Sequence, residues 1–118
     1  MQKQLLSGKI HRARVTEARI DYEGSIAIDS QLMKGAGILP YEKVLIANLN
    51  NGSRIESYAI SAPAGSGVVC LNGGAAKHGK VGDVLIIMTF GVYAGRELKN
   101  HKPKVVYVGK GNRAIRKK

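Results

Sequence analysis

The stretch Asn51-Gly52-Ser53-Arg54-Ile55-Glu56-Ser57-Tyr58-Ala59-Ile60, preceded by Val44-Leu45-Ile46-Ala47-Asn48-Leu49, reads as two strands joined by a turn. Valine, isoleucine and tyrosine favour strands because their stiff or flat side chains suit a pleated surface. Asn-Gly between two such runs predicts a type I′ hairpin, since both residues accept the positive φ it requires. Working outward, beside the hairpin strands over 44–49 and 53–61, the same test predicts strands over 5–15, 24–28, 67–71, 84–89 and 105–108. In Leu6-Ser7-Gly8-Lys9-Ile10-His11-Arg12-Ala13-Arg14-Val15-Thr16 the alternation puts Lys9 and His11 on one face. A short helix is expected over 30–36, with Asp29 as N-cap, Gly37 as its stop and Pro40 beyond it. A single helical turn is expected over 75–78. Many short strands with brief helical inserts predict a mainly β chain closed into a small barrel.

Size and charge bound what such a barrel can be. At 118 residues the chain is expected to be one domain, 1–118, large enough to bury a core without disulfide or metal staples. The single cysteine, Cys70, lies in the apolar run Gly67-Val68-Val69-Cys70-Leu71 and reads as a small buried hydrophobe. One cysteine and no signal-like segment point to a reducing cytoplasm, and no apolar run is long enough to span a membrane. Nineteen Lys and Arg against eight Asp and Glu give a net charge of +11, concentrated toward a basic tail expected to be flexible over about 110–118. Such a charge suits acidic partners, nucleic acid among them. Aromatic residues are sparse and no nucleic-acid signature is present, so a stacking platform is missing. His78 and His101 have no metal-ligand spacing with Cys70, so no metal site is expected.

Chemistry enters at Tyr22-Glu23-Gly24-Ser25-Ile26-Ala27-Ile28-Asp29. Gly-Ser is a common turn pair. It is also a pair in which a hydroxyl can attack the preceding carbonyl, turning a peptide into an ester. Elimination from that ester leaves a dehydroalanine, which hydrolyses to a pyruvoyl group. None of the twenty side chains supplies such an electrophilic ketone.

Around that pair stand Lys9-Ile10-His11-Arg12, Ala36-Gly37-Ile38-Leu39, Asn51-Gly52, Arg54, Tyr58-Ala59-Ile60, Asn72-Gly73 and Val81-Gly82-Asp83. In order and spacing, from Lys9 to about Phe90, these pieces resemble the aspartate 1-decarboxylase family of pyruvoyl enzymes. The resemblance implies a six-stranded double-psi β-barrel, assembled as a homotetramer with active sites between neighbouring subunits. It implies autocatalytic cleavage of a zymogen between Gly24 and Ser25, giving a β chain of 1–24 and an α chain of 25–118. The activity it implies is decarboxylation of L-aspartate to β-alanine for pantothenate and coenzyme A synthesis. The cofactor would be the covalent pyruvoyl group made from Ser25, acting through a Schiff base with the substrate, with no metal and no PLP.

Residue by residue, the resemblance implies that Ser25 and Tyr58 are catalytic, Tyr58 as proton donor. A phenol suits that role because it stays protonated at neutral pH. Self-processing is implied for Tyr22, Gly24, Ser25, Ser57 and Asn72, with Asn72 and Ser57 as donors to the oxyanion. Gly24, lacking a Cβ, is expected to take a strained backbone that exposes its carbonyl. Substrate binding is implied for Lys9, Arg54, Ser57, Gly73, Gly74 and Ala75, with His11 assisting. Arg54 offers a bidentate fork to a carboxylate, and Lys9 a movable point charge. Two positions depart from the family pattern: Ser57 stands where threonine is usual, and Gly74 where alanine is usual. Two other readings stay open at this point: a basic barrel that binds nucleic acid, and a family member that no longer matures. Maturation by a helper protein is left open as well.

Overall fold

The computed structural model describes residues 1–116. Its first strand shows how one bulge sets the core. β1 (Gln2–Arg14) turns Gly8 and Ile10 inward, and then Ala13. The change of phase comes from Arg12, an extra residue between the pairs His11↔Ile86 and Ala13↔Leu85, held at φ 72°. A left-handed non-glycine residue costs roughly 1 kcal/mol. Burial of Ala13 and Val15 beyond it offsets that strain.

β2 (Glu17–Arg19), β3 (Ser25–Asp29), α1 (Ser30–Ala36), β4 (Lys43–Asn48), β5 (Arg54–Ala62), β6 (Val69–Asn72), β7 (Val84–Ala94), β8 (Lys104–Val108) and β9 (Ala114–Ile115) follow in order. The architecture is mainly β, as expected. The strands lie side by side as β2-β6-β3-β5-β4-β7-β1-β8-β9. β1 runs parallel to β8, β2 to β6 and β3 to β5, while the other neighbours are antiparallel. Nine strands are present among the described residues, where the resemblance implies six. The short β2 and β9 contain too few residues to display an apolar alternation. β7 outruns its expected end because β1 pairs with it as far as Gln2↔Ala94.

The interior is filled by Ile10, Ile26, Ile28, Leu71, Leu85 and Ile87, with Leu32, Met33 and Ala36 of α1 laid on top. Each large aliphatic side chain buried in this way contributes about 1.5–3 kcal/mol. The helix is bounded as expected, from the Asp29 cap to Gly37 in the left-handed region at φ 68°.

The two strands pair antiparallel as a hairpin, but a two-residue turn at Asn51-Gly52 would set Ala47 opposite Glu56, and the observed register runs from Lys43↔Tyr58 to Ala47↔Arg54 around a longer loop that is not type I′. The Asn48 N–H donates to the Ser53 carbonyl and the Gly52 N–H to the Asn48 carbonyl, both at 2.9 Å. Of Asn51 and Gly52, only Gly52 has a positive φ, 76°. Side chains outcompete the tighter turn. Asn48 Oδ1 accepts from the N–H groups of Asn50 and Asn51 at 2.8 and 3.3 Å, and Asn51 Nδ2 donates to the His78 carbonyl at 2.9 Å.

The expected flexible tail is folded as far as Ile115. Lys110–Asn112 forms a 3₁₀ turn, and β9 pairs with β8. Asn112 is buried; it accepts from the Arg14 N–H and donates to the carbonyls of Arg14 and Gly67, all at 2.8 Å. One asparagine staples a segment that composition alone marks as solvated. Lys117 and Lys118, the end of that expected tail, lie outside the described residues.

Asp29 fastens the start of α1 to the loop before β6. Its carboxylate accepts from the N–H groups of Gln31 (2.9 Å), Gly65 (3.0 Å) and Gly67 (2.9 Å). Burial pushes its pKa up, but these three donors outweigh burial and hold it below the usual carboxylate value. A depressed folded pKa adds stability above the unfolded value of ~3.9, and that stability is lost as pH falls through the folded value. Asp29→Asn should therefore be less stable than the parent by about 1–3 kcal/mol at pH 7. In urea denaturation the gap should narrow below about pH 4, where the parent carboxyl takes up its proton. A gap that stays constant from pH 7 to 3 would contradict this account.

Candidate active site

β3 starts at Ser25, so the Gly24-Ser25 bond lies where a turn feeds into a buried ladder. On one side Ser25 pairs with Asn72 at the end of β6. On the other, Ile26 pairs with Ala59 of β5, which brings Tyr58 alongside Ser25 one step earlier. Ser25 and Asn72 are both buried. Asn72 Nδ2 donates to Ser25 Oγ at 3.1 Å, and the serine hydroxyl points at the Glu23 carbonyl across a long 3.4 Å. Asn72 Oδ1 in turn accepts from the Cys70 thiol at 3.2 Å. Burial pushes that thiol's pKa up, with the Glu17 carboxylate adding to the shift, so the sulfur keeps its proton.

A cavity of about 450 Å³ opens over this ladder, lined by Tyr22, Glu23, Ser25, Tyr41, Tyr58, Ile60 and Asn72. Its volume falls within the ~300–1,000 Å³ usual for small-molecule sites. The Tyr22 hydroxyl accepts from Arg19 Nη1 at 2.7 Å, and Arg19 is itself paired with Glu17 at 2.7 Å. Tyr41 and Tyr58 face each other with ring centres 6.5 Å apart.

The glycine on which this geometry depends is Gly73. It sits at φ 62°, and a Cβ there would lie 2.6 Å from both the Gly24 nitrogen and the Tyr22 carbonyl oxygen. The backbone after Asn72 thus presses directly against the Gly24 peptide. Gly24 itself is unconstrained: a Cβ would meet nothing within 4 Å, and its φ is not left-handed. The strained backbone expected at Gly24 is not found there; the left-handed residue beside it is Gly73, a conformation glycine takes without strain.

The remaining candidates do not line this cavity. Lys9 and His11 lie on β1, four strands from β3 in the sheet order. Burial, then the charges of Lys9 and Arg12, pushes the His11 pKa down; its Nδ1 is buried without a hydrogen-bond partner, and its ring meets Tyr107 edge-on at 5.6 Å. Arg54 is exposed at the far end of β5, about 13 Å along the strand from Tyr58. Ser57 pairs with Val44, and alternation turns it to the face opposite Tyr58. Gly74 is exposed with open space around it, and Ala75 is buried in the 3₁₀ turn Gly73–His78. No signal in the sequence marks Tyr41, and Cys70 reads there as a small buried hydrophobe, which its burial bears out without showing its contact with Asn72. Tyr41 follows a proline at φ 71°, and only the β5 contact shows where its ring goes. Cys70 shares a strand face with Asn72 by the two-residue period, a signal that becomes useful once Asn72 is placed.

A family model described as aspartate decarboxylase matches residues 1–115. A protein of Syntrophobacter fumaroxidans named aspartate 1-decarboxylase is 54% identical over 115 residues, covering 98% of this chain and 93% of its own. Proteins of the same name from Listeria monocytogenes and Ruminiclostridium cellulolyticum are 53% and 51% identical, covering 95% and 99% of this chain and 88% and 91% of their own. Among solved structures, a rationally designed protein, mkDPBB_sym_86, has TM-score 0.49 and 14% identity, covering 65% of this chain and 90% of its own. The chain therefore belongs to the aspartate decarboxylase family, which makes it an enzyme of the lyase class.

Proposed function

We propose that this chain cuts itself between Gly24 and Ser25, becomes a pyruvoyl enzyme at residue 25, and decarboxylates L-aspartate to β-alanine and carbon dioxide. The observation that carries the reading is the buried Ser25 hydroxyl, held by Asn72 and opening onto a cavity shared with Tyr58. In the first stage Ser25 Oγ bonds to the Gly24 carbonyl carbon, the C–N bond breaks, and the amine takes the hydroxyl proton. Loss of the residue-25 Cα proton then expels the Gly24 carboxylate, and water replaces the nitrogen, which leaves as ammonia. Asn72 Nδ2 donates to Ser25 Oγ, and this contact would stabilise the negative charge that oxygen takes on when it departs with the Gly24 carboxylate.

The residues around Ser25 suit a ketone at that position, because an amide donor faces the site from Asn72 and a phenol stands beside it. When formed, the pyruvoyl group supplies a carbonyl that takes the substrate amine and accepts the electrons released with carbon dioxide. Tyr58 returns a proton to the substrate carbon. The carboxylates of aspartate need cations, and Lys9 and Arg54 lie away from the Ser25 cavity of their own chain. A homotetramer with sites between subunits would supply them from a neighbouring copy. The same reading makes the protein a cytoplasmic enzyme feeding pantothenate and coenzyme A synthesis.

Denaturing mass spectrometry of aged, purified protein tests the reading. Fragments of residues 1–24 and 25–118 should appear, the larger bearing a pyruvoyl terminus. A chain that remains intact, or that is cut elsewhere, would refute it. Tyr58→Phe should still cleave, yet β-alanine production per cleaved chain should fall about 10²–10⁴-fold, the range for loss of a general acid. Unchanged turnover in that variant would remove Tyr58 from the proton-transfer role.

A further inference from the structure

We infer that Cys70 is a positioning residue for self-cleavage: its thiol fixes the Asn72 amide so that the NH₂ end faces Ser25. The inference rests on the processing reading above and names a residue which that reading leaves out. An asparagine amide has two ends of nearly equal size, and only its partners decide which faces which. Here one end lies 3.2 Å from Cys70 Sγ and the other 3.1 Å from Ser25 Oγ. Cys70 is buried and lies outside the lining of the cavity, so the thiol addresses the amide from the side away from that opening.

The three residues form one row. Cys70 and Asn72 are two apart on β6 and share a face; across the ladder, Ala27 stands opposite Cys70 and Ser25 opposite Asn72. Ala27 offers no polar atom, so the thiol is the group that addresses the amide oxygen from that side. A protonated thiol donates, and an amide oxygen accepts, which sends Nδ2 to Ser25. With Nδ2 donating to it, Ser25 Oγ directs its own proton at the Glu23 carbonyl and away from Asn72. In the flipped amide, Oδ1 would accept the serine proton and point a lone pair at the nucleophile, which turns the hydroxyl away from that arrangement.

The test follows the rate at which freshly purified full-length chain becomes its two fragments, by denaturing mass spectrometry at fixed temperature and pH. Cys70→Ala should slow cleavage about 3–10-fold, the worth of one weak hydrogen bond. Cys70→Ser, which keeps a donor, should stay within about 3-fold of the parent. Asn72→Ala should be slow, and adding Cys70→Ala to it should slow it no further, because there is no amide left to orient. Thermal unfolding and circular dichroism on each variant establish that it is folded. Cleavage by Cys70→Ala at the parental rate would overturn the inference and leave the processing reading standing. Cys70→Ser as slow as Cys70→Ala, or additive losses in the double variant, would overturn it too, pointing to volume instead of orientation. A parental chain that never cleaves would overturn both.

Discussion

Ser25→Ala should remain a single uncut chain and yield no β-alanine above background. The proposed reaction takes its nucleophile from this side chain and forms its electrophile at the same residue's Cα only after that oxygen has attacked and left, so removing one oxygen abolishes both stages. The fold should survive. Alanine fits the space of serine, and the strand keeps its main-chain pairing with Asn72. The loss is confined to Asn72 Nδ2, which forfeits its acceptor in a buried place, at about 1–3 kcal/mol. Intact mass, a β-alanine assay and circular dichroism on one sample read all three outcomes. Decarboxylation by the folded, uncut variant would eliminate the pyruvoyl mechanism.

Gly73→Ala should be the most damaging conservative change next to the cleavage bond, in both stability and processing. Two independent costs meet there. The residue sits at φ 62°, where a side chain is strained by roughly 1–3 kcal/mol. Its Cβ would also lie 2.6 Å from the Gly24 nitrogen and the Tyr22 carbonyl oxygen, backbone atoms that cannot swing aside like a flexible side chain. Overpacking of this kind adds roughly 1–3 kcal/mol. Relief requires the 22–24 backbone to move away from Asn72, which would also spoil the approach of Ser25 to the Gly24 carbonyl. Cleavage should therefore slow more than about tenfold even in molecules that fold, because small displacements of reacting groups are expensive. Gly74→Ala is the internal control: its Cβ meets nothing within 4 Å, and stability and cleavage should both stay near the parent. Urea denaturation with fragment analysis separates the two effects. Equal behaviour of the two variants would show that the close approach at Gly73 is unimportant.

Much of the frame was legible in local pattern. The helix bounds follow from an Asp cap and a Gly stop, each of which satisfies helix-end groups from within a few residues. The pairing of β4 with β5 as a hairpin follows from two strand-forming runs flanking an Asn-Gly turn signal, though the turn expected there would have placed the register two residues away. Readings failed where a side chain reached across the chain. Asn51 was drawn to the His78 carbonyl and lost its type I′ turn. Asn112 tied a basic tail to Arg14 and Gly67, and β9 formed beside it. Neither partner is near in sequence, so no local window contains the bond.

The same division runs through the candidate site. By itself the sequence determined which groups are present: a Gly-Ser pair whose hydroxyl neighbours a carbonyl, the phenol of Tyr58, the amide of Asn72, and membership of the aspartate decarboxylase family. Those are properties of residue types in a given order. Only tertiary structure decided that Ser25, Asn72 and Tyr58 share one cavity while Lys9 and Arg54 do not, and that the left-handed glycine pressed against the Gly24 peptide is Gly73. The parallel pairing of β3 with β5 and its antiparallel pairing with β6 set those distances. Such ladders join segments more than thirty residues apart, and their closeness follows from how the whole core packs.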